Sequence, residues 1–283
     1  MSAPLLIPNL SGAARIYAVW GDPVAQVQTP RLINPLFAAA DAGIWAVPFH
    51  VTPGGFDAAW DVFRAIDNVA GIGVTVPHKV AAARRCDTLS DEARAVGAVN
   101  SIQRGADGRM HGALFDGRGF VLGLGVGQAR LAGARVLMVG AGGAGRAIAH
   151  ALAGEGIAML GLMDPDPAAV AFTAEMVAQA TGRPLAQAED GARGYDGYDV
   201  IINASPIGMK GDAVFPVPPG ALRPDMLIAD IAALEGDTAL LRAARAAGAR
   251  VSDGNDMLQA QIALIAGFAT GQPAGRPMMT GQG

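Results

Sequence analysis

The sequence has few cysteines, few aromatic residues and little charge. Its 283 residues include one cysteine, 5% aromatic residues and 16% charged residues. Cys86 alone cannot close an intrachain disulfide, which favours a reducing compartment and predicts a cytoplasmic protein. A net charge of −4 gives no bulk electrostatic attraction for nucleic acid, so we expect no nucleic-acid partner.

Long uninterrupted apolar runs are also missing. No run approaches the ~20 residues of a membrane helix, and the first residues lack the basic start and apolar stretch of a signal peptide. The hydrophobic content of 51% nevertheless excludes disorder. We therefore expect a globular chain without a membrane partner, long enough for one large domain or two smaller ones.

Lysine is scarce as well. Of the 21 basic residues, 19 are Arg, and the two Lys are Lys79 and Lys210. Arg stays protonated, whereas Lys can exchange a proton, so each Lys is a candidate for acid–base chemistry. The alternative is that the two Lys have no chemical role and simply remain in a composition biased towards Arg. For Lys210 we favour this alternative, because its loop suggests no chemistry.

In the first half of the chain, short β-rich apolar runs alternate with stretches of helical period. This alternation predicts a mostly parallel sheet covered by helices. Thr29 is the predicted N-cap of the first helix, with Pro30 at its first position. The predicted strands are 16–20, 46–51 and 69–76, the helices are 29–42, 56–66, 79–85 and 91–96, and a hairpin joins 101–104 to 109–112.

A second series of the same kind follows the apolar stretch 115–131. We therefore predict an α/β fold of two domains that divide near residues 112–117. The predicted strands are 135–139, 158–163, 200–203 and 226–230, and the helices are 143–154, 167–181, 238–247 and 256–270.

Three glycines between a predicted strand and a predicted helix fit the spacing G-x-G-x-x-G. They are Gly140, Gly142 and Gly145, and they open an Ala-rich helix. Glycines at this place permit a tight turn, close approach of a pyrophosphate to the helix N-terminus, and close helix–strand packing. A tight turn without a ligand is the alternative. The predicted cofactor-binding positions are Gly140, Ala141, Gly142, Gly143 and Ala144.

Asp164 ends the next predicted strand, 24 residues after Gly140. A carboxylate there accepts hydrogen bonds from a ribose 2′-hydroxyl and repels a 2′-phosphate. No Arg or Lys lies between Asp164 and Glu175, so we expect NAD in preference to NADP. A helix N-cap is the alternative for Asp164, although Asp166 suits that role better.

Five motifs occur in one order along the chain. Residues 73–79 read GVTVPHK and 97–102 read GAVNSI; the glycine loop follows, then NASPIGM at 203–209 and GNDMLQAQ at 254–261. Together they resemble the shikimate dehydrogenase family, including its quinate-using relatives, over nearly the whole chain.

The resemblance implies an N-terminal α/β substrate-binding (catalytic) domain over 1–113 plus 255–283, and a Rossmann NAD(P)-binding domain over 114–254. It implies hydride transfer between NAD(P) and a shikimate- or quinate-like cyclic hydroxy acid, with Lys79 and Asp116 as the acid/base pair. An ammonium group beside a carboxylate can exchange the proton that this reaction requires. An ordinary salt bridge is the alternative.

The resemblance also assigns binding roles to several polar residues, each of which could instead be a satisfied buried polar group. We interpret His78 as structural and find no spacing typical of metal ligands. The expected substrate-binding residues are Gln28, Thr29, Thr75, Asn100 and Gln261, and the further expected cofactor-binding residues are Asn203, Ser205 and Gly254.

The carboxylate-binding motif of the family is altered. Its pattern H-S-x-S-P becomes QVQTP at 26–30, so Val27 has no hydroxyl whereas Thr29 keeps one. Leu114 and Phe115 replace polar neighbours of Asp116, and the segment 230–235 lacks a tyrosine often found there. Loss of one donor lowers affinity for a carboxylate by about 10- to 100-fold. We hypothesise a substrate other than shikimate, or a differently shaped acid held by amides of Gln26 or Gln28.

Two further functions stay open at this stage. One is a non-enzymatic NAD-binding sensor, which the altered motif favours and the retained Lys79 and Asp116 oppose. The other is a dehydrogenase for an amino or deoxy analogue of shikimate. No coiled-coil or interface segment is evident, and a monomer or homodimer is expected.

Overall fold

The computed structural model describes residues 10–192, 194–209, 213–233 and 236–278, without the side chains of Val126 and Ala129. Lys210 therefore lies outside the described residues. Within them the chain forms two six-stranded sheets with helices around them, which confirms the predicted α/β class. No helix in these ranges is both long and apolar enough to cross a membrane.

The first sheet is mixed, with three parallel and two antiparallel strand pairs. It contains β1 (Arg15–Gly21), β2 (Ile44–His50), β3 (Val69–Val74), β4 (Thr88–Leu89), β5 (Ser101–Arg104) and β6 (Met110–Ala113), in the order β2-β1-β3-β5-β6-β4. The predicted hairpin forms as β5 and β6, and β5 also runs antiparallel to β3. Short antiparallel connections need no crossover helix, so the alternation of strand and helix stops at this point.

The second sheet is parallel throughout. It contains β7 (Arg135–Val139), β8 (Met159–Met163), β9 (Ala186–Ala188), β10 (Val200–Asn203), β11 (Leu227–Asp230) and β12 (Arg250–Asp253), in the order β12-β11-β10-β7-β8-β9. This is the doubly wound order of dinucleotide-binding sheets, whose strand order reverses between β7 and β10. Ligands bind such sheets beside the carboxyl ends of the strands at that reversal.

The helices begin close to their predicted starts. The apolar stretch 115–131, to which no element was assigned, forms α5 and a 3-10 turn at Gly125–Arg130. The helices are α1 (Thr29–Ala39), α2 (Phe56–Ala65), α3 (Lys79–Arg85), α4 (Asp91–Val96), α5 (Asp116–Gly123), α6 (Gly143–Ala153), α7 (Pro167–Thr181), α8 (Ala239–Ala246) and α9 (Gly254–Ala269).

The predicted N-cap at Thr29 is wrong. Gln28 precedes the helix with α-helical dihedral angles and makes no side-chain cap bond, and Thr29 is already helical. A capping side chain requires an extended backbone at the cap residue, which this turn does not provide. The Thr29 hydroxyl has no hydrogen-bond partner among the described residues and is open to a ligand.

Helix α5 packs closely against both α9 and α6. A Cβ on Gly119 would lie 2.7 Å from the Cβ of Gln261, and one on Gly117 would collide with the carbonyl oxygen of Ala147. Only glycine allows so close an approach of two helices here. α5 therefore connects the elements around the first sheet to those around the second.

Helix α9 returns the chain to the first sheet. It begins in a capping box formed by Asp253 and Asp256, at the carboxyl end of β12, and packs against α1, α5 and β5. This path agrees with the expected assignment of residues 255–283 to the first domain, and the domain boundaries themselves stay a prediction.

Candidate active site

Four of the predicted site residues lie at the ends of elements around one cavity. Thr75 follows β3 and accepts the backbone N–H of His78 on its carbonyl at 3.0 Å, which closes the turn that leads into α3. Lys79 is the first residue of α3, Asn100 directly precedes β5, and Asp116 is the first residue of α5. The strand–turn–helix geometry thus brings together residues that are up to 41 positions apart in the chain.

Lys79 and Asp116 form an ion pair at this cavity. Lys79 Nζ donates to Asp116 Oδ2 at 2.6 Å, and the two side chains are 24% and 8% exposed. The start of α5 favours a negative charge at Asp116. The ammonium group is therefore held in one direction while part of it stays accessible from the cavity.

Two amide side chains complete the surroundings of Asp116. Gln261 Nε2 donates to Asp116 Oδ1 at 2.5 Å and Asn100 Nδ2 donates to the same oxygen at 3.2 Å. The Asn100 carbonyl oxygen in turn accepts the backbone N–H of Phe115 at 3.0 Å. Together with Lys79, three side-chain donors face this carboxylate, which fixes its orientation.

The cavity beside this pair has a volume of about 270 Å³. It is lined by all five predicted substrate-binding residues together with Lys79 and Asp116. Its apolar wall includes Val19, Val27, Val74, Leu258 and Ile265. A few convergent polar groups on an apolar wall are typical of a site for a small molecule.

The start of α1 forms the end of the cavity where the family motif is altered. All four residues from Gln26 to Thr29 line the cavity; Val27 and Thr29 are half-buried, and Gln26 and Gln28 are exposed. The Gln26 amide donates to the carbonyl of Pro23 at 2.9 Å, and the Gln28 amide donates to that of Gln26 at 3.4 Å. Each amide thus already makes one bond to a backbone carbonyl, and the hypothesis that these amides replace the missing donor stays a prediction.

No motif or spacing in the sequence points to Glu92. It lies on α4, and its Oε1 is buried without a hydrogen-bond partner among the described residues. Burial, together with the negative charge of Asp116, raises the pKa of Glu92 to about 8, against the opposing effects of the Gly117 amide and Arg118. A neutral carboxylic acid thus lies close to the Asp116 carboxylate at pH 7.

Tyr17 is a second residue that sequence reasoning missed. It lines the cavity from β1, and its hydroxyl is hydrogen-bonded to that of Ser101 at 2.8 Å. Burial raises the pKa of Tyr17 well above its usual range, so the hydroxyl stays protonated. The alternation of side chains along β1 is the only sequence signal that could have indicated its inward position.

The glycine loop has the geometry that a dinucleotide site requires. Gly140 has a φ of 104°, and a Cβ on Gly145 would collide with the Gly140 carbonyl oxygen. A Cβ on Gly142 or Gly143 would meet no described atom within 4 Å. The first and last glycines are thus required for the turn and the packing, while the middle of the loop is open at the N-terminus of α6, where a pyrophosphate fits.

Asp164 lies beside this loop at the end of β8. Its Oδ2 accepts the backbone N–H of Ala141 at 2.7 Å, and its Oδ1 accepts that of Asp166 at 2.9 Å. Arg146 is also near the loop, because its Nε donates to the Ala141 carbonyl at 3.1 Å and its guanidinium lies 4.6 Å from the centre of the Phe172 ring. A cation from outside the segment 164–175 therefore lies at this end of the site.

The predicted cofactor residues after β10 are part of a buried network. Asn203 is fully buried; its amide donates to Asp230 at 2.9 Å and to the Ile207 carbonyl at 2.8 Å, and its oxygen accepts the Ser205 hydroxyl at 2.6 Å. Burial is the main cause of the raised pKa of Asp230. Asn203 thus holds the 204–209 loop, and its polar atoms already have protein partners.

Gly254, the last of the predicted cofactor residues, is buried at the first position of α9. Its backbone N–H donates to the carbonyl of Ala233 at 3.1 Å, which ties the start of α9 to the loop after β11. Two other predicted cofactor residues, Ala141 and Ala144, belong to the glycine loop at the end of β7.

His78 lies next to Lys79 but points elsewhere. It is 2% exposed, its Nε2 donates to the carbonyl oxygen of Val51 at 2.6 Å, and its ring stacks on Phe56. This environment agrees with the interpretation of His78 as structural. Among the described residues, no group of three His, Cys, Asp or Glu side chains is arranged to hold a metal ion.

Comparison with protein families and curated sequences gives consistent matches. Residues 19–102 match the family model described as shikimate dehydrogenase substrate binding domain. A shikimate dehydrogenase (NADP(+)) of Anaeromyxobacter sp. is 37% identical over 270 residues, which cover 94% of this chain and 94% of that protein.

Solved structures with the same fold include two different activities. Shikimate 5-dehydrogenase from Listeria monocytogenes, in complex with shikimate and NAD, is 25% identical with a TM-score of 0.86 and 96% coverage of both chains. Ligand-free 5-ketofructose reductase of Gluconobacter sp. strain CHM43 is 28% identical with a TM-score of 0.83, covering 94% of this chain and 95% of that chain.

Proposed function

The chain belongs to the shikimate dehydrogenase family, and on this basis we propose that it catalyses reversible hydride transfer between NAD(P) and a secondary alcohol on a shikimate- or quinate-type ring. The observation that carries this proposal is the 2.6 Å contact between Lys79 Nζ and Asp116 Oδ2 at the wall of the cavity. Relatives named for shikimate and NADP, and a solved relative with NAD bound, support it.

Lys79 is the proposed proton donor and acceptor at the reacting oxygen. When ketone becomes alcohol, the oxygen gains negative charge and takes a proton from the ammonium group; in the reverse direction the amine takes the proton from the alcohol. Asp116 holds Nζ in place and balances its charge. The bound nicotinamide supplies or accepts the hydride.

The proposed cofactor site is the glycine loop with its open centre at Gly142 and Gly143. Asp164 supports NAD as the preferred cofactor, because its carboxylate faces the loop and would repel a 2′-phosphate. Replacing Asp164 with Asn should raise kcat/KM for NADP relative to NAD by about 10-fold or more. A ratio that does not change in steady-state assays with both cofactors would contradict this role of Asp164.

The roles proposed for the residues after β10 differ from direct cofactor contact. Because its polar atoms already have protein partners, we infer that Asn203 positions the loop that carries Ser205. Gly254 would act similarly, since its N–H is bonded to the carbonyl of Ala233. In both cases the effect on the cofactor is transmitted through the backbone.

The direct test is replacement of Lys79 with Met, which keeps the apolar stem and removes the amine. Because general acid–base groups contribute about 10²- to 10⁴-fold, kcat should fall by that factor while NAD binding is retained. Arg245→Met is the matched control, since it removes an exposed cation from α8. Undiminished turnover by the Lys79 variant would overturn the proposed role.

The sensor hypothesis makes a different prediction for the same protein. A sensor would bind NAD but turn over no cyclic polyol or polyhydroxy ketone. The accessible face of Lys79 on the cavity favours the enzyme. Calorimetric titration with NAD, followed by a turnover assay over such a panel, distinguishes the two functions.

A further inference from the structure

The charges around the cavity balance without a ligand. Among the described residues that line it, Lys79 is the one cation and Asp116 the one anion, and they are paired at 2.6 Å. Glu92 lies behind Asp116 and is neutral at pH 7 because burial raises its pKa to about 8. A carboxylate brought into this cavity would therefore find no unpaired positive charge.

At the end formed by the start of α1, the amides of Gln26 and Gln28 line the cavity, but each already donates to a backbone carbonyl. Val27 has an apolar side chain that packs against the core of the first sheet. Its backbone N–H donates to the Val24 carbonyl at 3.0 Å, that of Leu32 donates to Gln28 at 3.2 Å, and Pro30 has none. Removing a carboxylate from water is costly unless charge or several donors replace its hydration.

Hydroxyl groups, in contrast, fit the polar groups that are present. Thr29 and Thr75 line the cavity with hydroxyls that have no partner among the described residues. Each can both donate and accept, as a polyol requires. Asn100 and Gln261 add amide groups whose donors hold Asp116. The cavity of about 270 Å³ accommodates a six-carbon ring or sugar.

We propose that the preferred substrate is a neutral polyhydroxylated ketone, with its alcohol as the product, and that Val27 is a specificity-determining residue that disfavours a carboxylate. This inference rests on the proposed hydride transfer and on Lys79 as its proton donor. The likeness to a structure of 5-ketofructose reductase agrees with it, since 5-ketofructose has no carboxylate.

The test compares a carboxylate substrate with neutral ones. Purified enzyme is assayed with NAD and NADP on shikimate and on its neutral methyl ester, and in the reducing direction on 5-ketofructose. We expect kcat/KM for the methyl ester to equal or exceed that for shikimate, and reduction of 5-ketofructose to be measurable. A kcat/KM for shikimate that is about 10-fold or more above that of its ester would overturn the proposal.

The variant Val27→Ser restores the missing hydroxyl. Because a hydroxyl bonded to a carboxylate strengthens binding, kcat/KM for shikimate should rise by about 10- to 100-fold, with a much smaller change for the ester. Val62→Ser makes the same change on an exposed face of α2 and should alter neither value. An equal response of acid and ester to Val27→Ser would contradict the role of Val27.

Failure of the underlying function is recognised separately. If no member of the panel is turned over although NAD binds, the proposed hydride transfer fails and the inference fails with it. If shikimate is turned over efficiently and Lys79→Met abolishes this, the proposed function stands and only the neutral-substrate inference is overturned.

Discussion

The carboxyl group of Glu92 is close to the carboxylate of Asp116, and its Oε1 is buried. Its pKa is raised to about 8, from an ordinary value of 4.5, mainly by burial. Between these pH values the folded protein keeps a proton that the unfolded chain has released, so stability falls as pH rises towards 8, by at most about 1.4 kcal/mol per pH unit. Glu92→Gln stays neutral and should be more stable than the wild type at pH 8.5, with little difference at pH 5.

Urea unfolding at a series of pH values measures this effect. Glu175→Gln is the matched control, because Glu175 is exposed on α7 and its replacement should leave the pH dependence unchanged. His150 does not interfere above pH 6.5, since burial lowers its pKa and it stays neutral there. Parallel stability curves for the wild type and Glu92→Gln from pH 5 to 8.5 would disprove the assignment.

Local motifs indicated the residues that carry the proposed chemistry. The burial and the hydrogen-bond partners of other residues depend on long-range packing. Lys79 follows a strand in a recognisable turn, so its place could be predicted from neighbouring residues. The burial of Glu92 depends on where α4 meets α5, which no spacing in the sequence reveals. The fold likewise brings the carbonyl and hydroxyl partners to Asn203. The sequence therefore could not predict that Asn203 is buried with its polar atoms hydrogen-bonded.

Helix α5 sets the position of Gln261 relative to Asp116. Gly119 lies against Gln261, and an added Cβ would come within 2.7 Å of the Gln261 Cβ. Gly119→Ala should therefore push α9 away from α5 and lengthen the 2.5 Å bond from Gln261 to Asp116. We expect a loss of stability of about 1–3 kcal/mol from overpacking and a lower kcat. Thermal unfolding and steady-state assays measure the two effects.

Gly220 provides the control for this substitution. A Cβ there would meet no described atom within 4 Å, so Gly220→Ala adds the same methyl group without a collision. If the two variants have equal stability and equal kcat, the close packing of α5 on α9 does not position Gln261.

The apolar pattern of the sequence predicted the strands that are buried on both faces, whereas it missed three short strands at sheet edges. β7, β8, β10 and β11 have apolar runs because helices cover both faces, and all four were predicted. The missed strands β4, β9 and β12 are edge strands of two, three and four residues, with half-exposed or exposed side chains in most positions. α5 was missed because its glycines, required for packing, obscure its helical period.

The whole molecule shares one hydrophobic cluster between its two sheets. The cluster includes Trp20 and Ile72 from the first sheet and Val136 and Leu227 from the second. Residues buried in one continuous core tend to lose their structure together. We therefore predict a single cooperative unfolding transition, although the strands form two separate hydrogen-bonded sheets.

The distribution of tryptophan makes this prediction testable. Trp20, Trp45 and Trp60 all lie in β1, β2 and α2, so tryptophan fluorescence reports the first sheet, whereas far-UV circular dichroism reports both. The two midpoints should coincide. Because NAD would bind at the second sheet, a saturating concentration should raise both midpoints together by a few degrees. If NAD moved only the circular dichroism transition, the second sheet would unfold independently, and the packing of α5 between α6 and α9 would not couple the sheets.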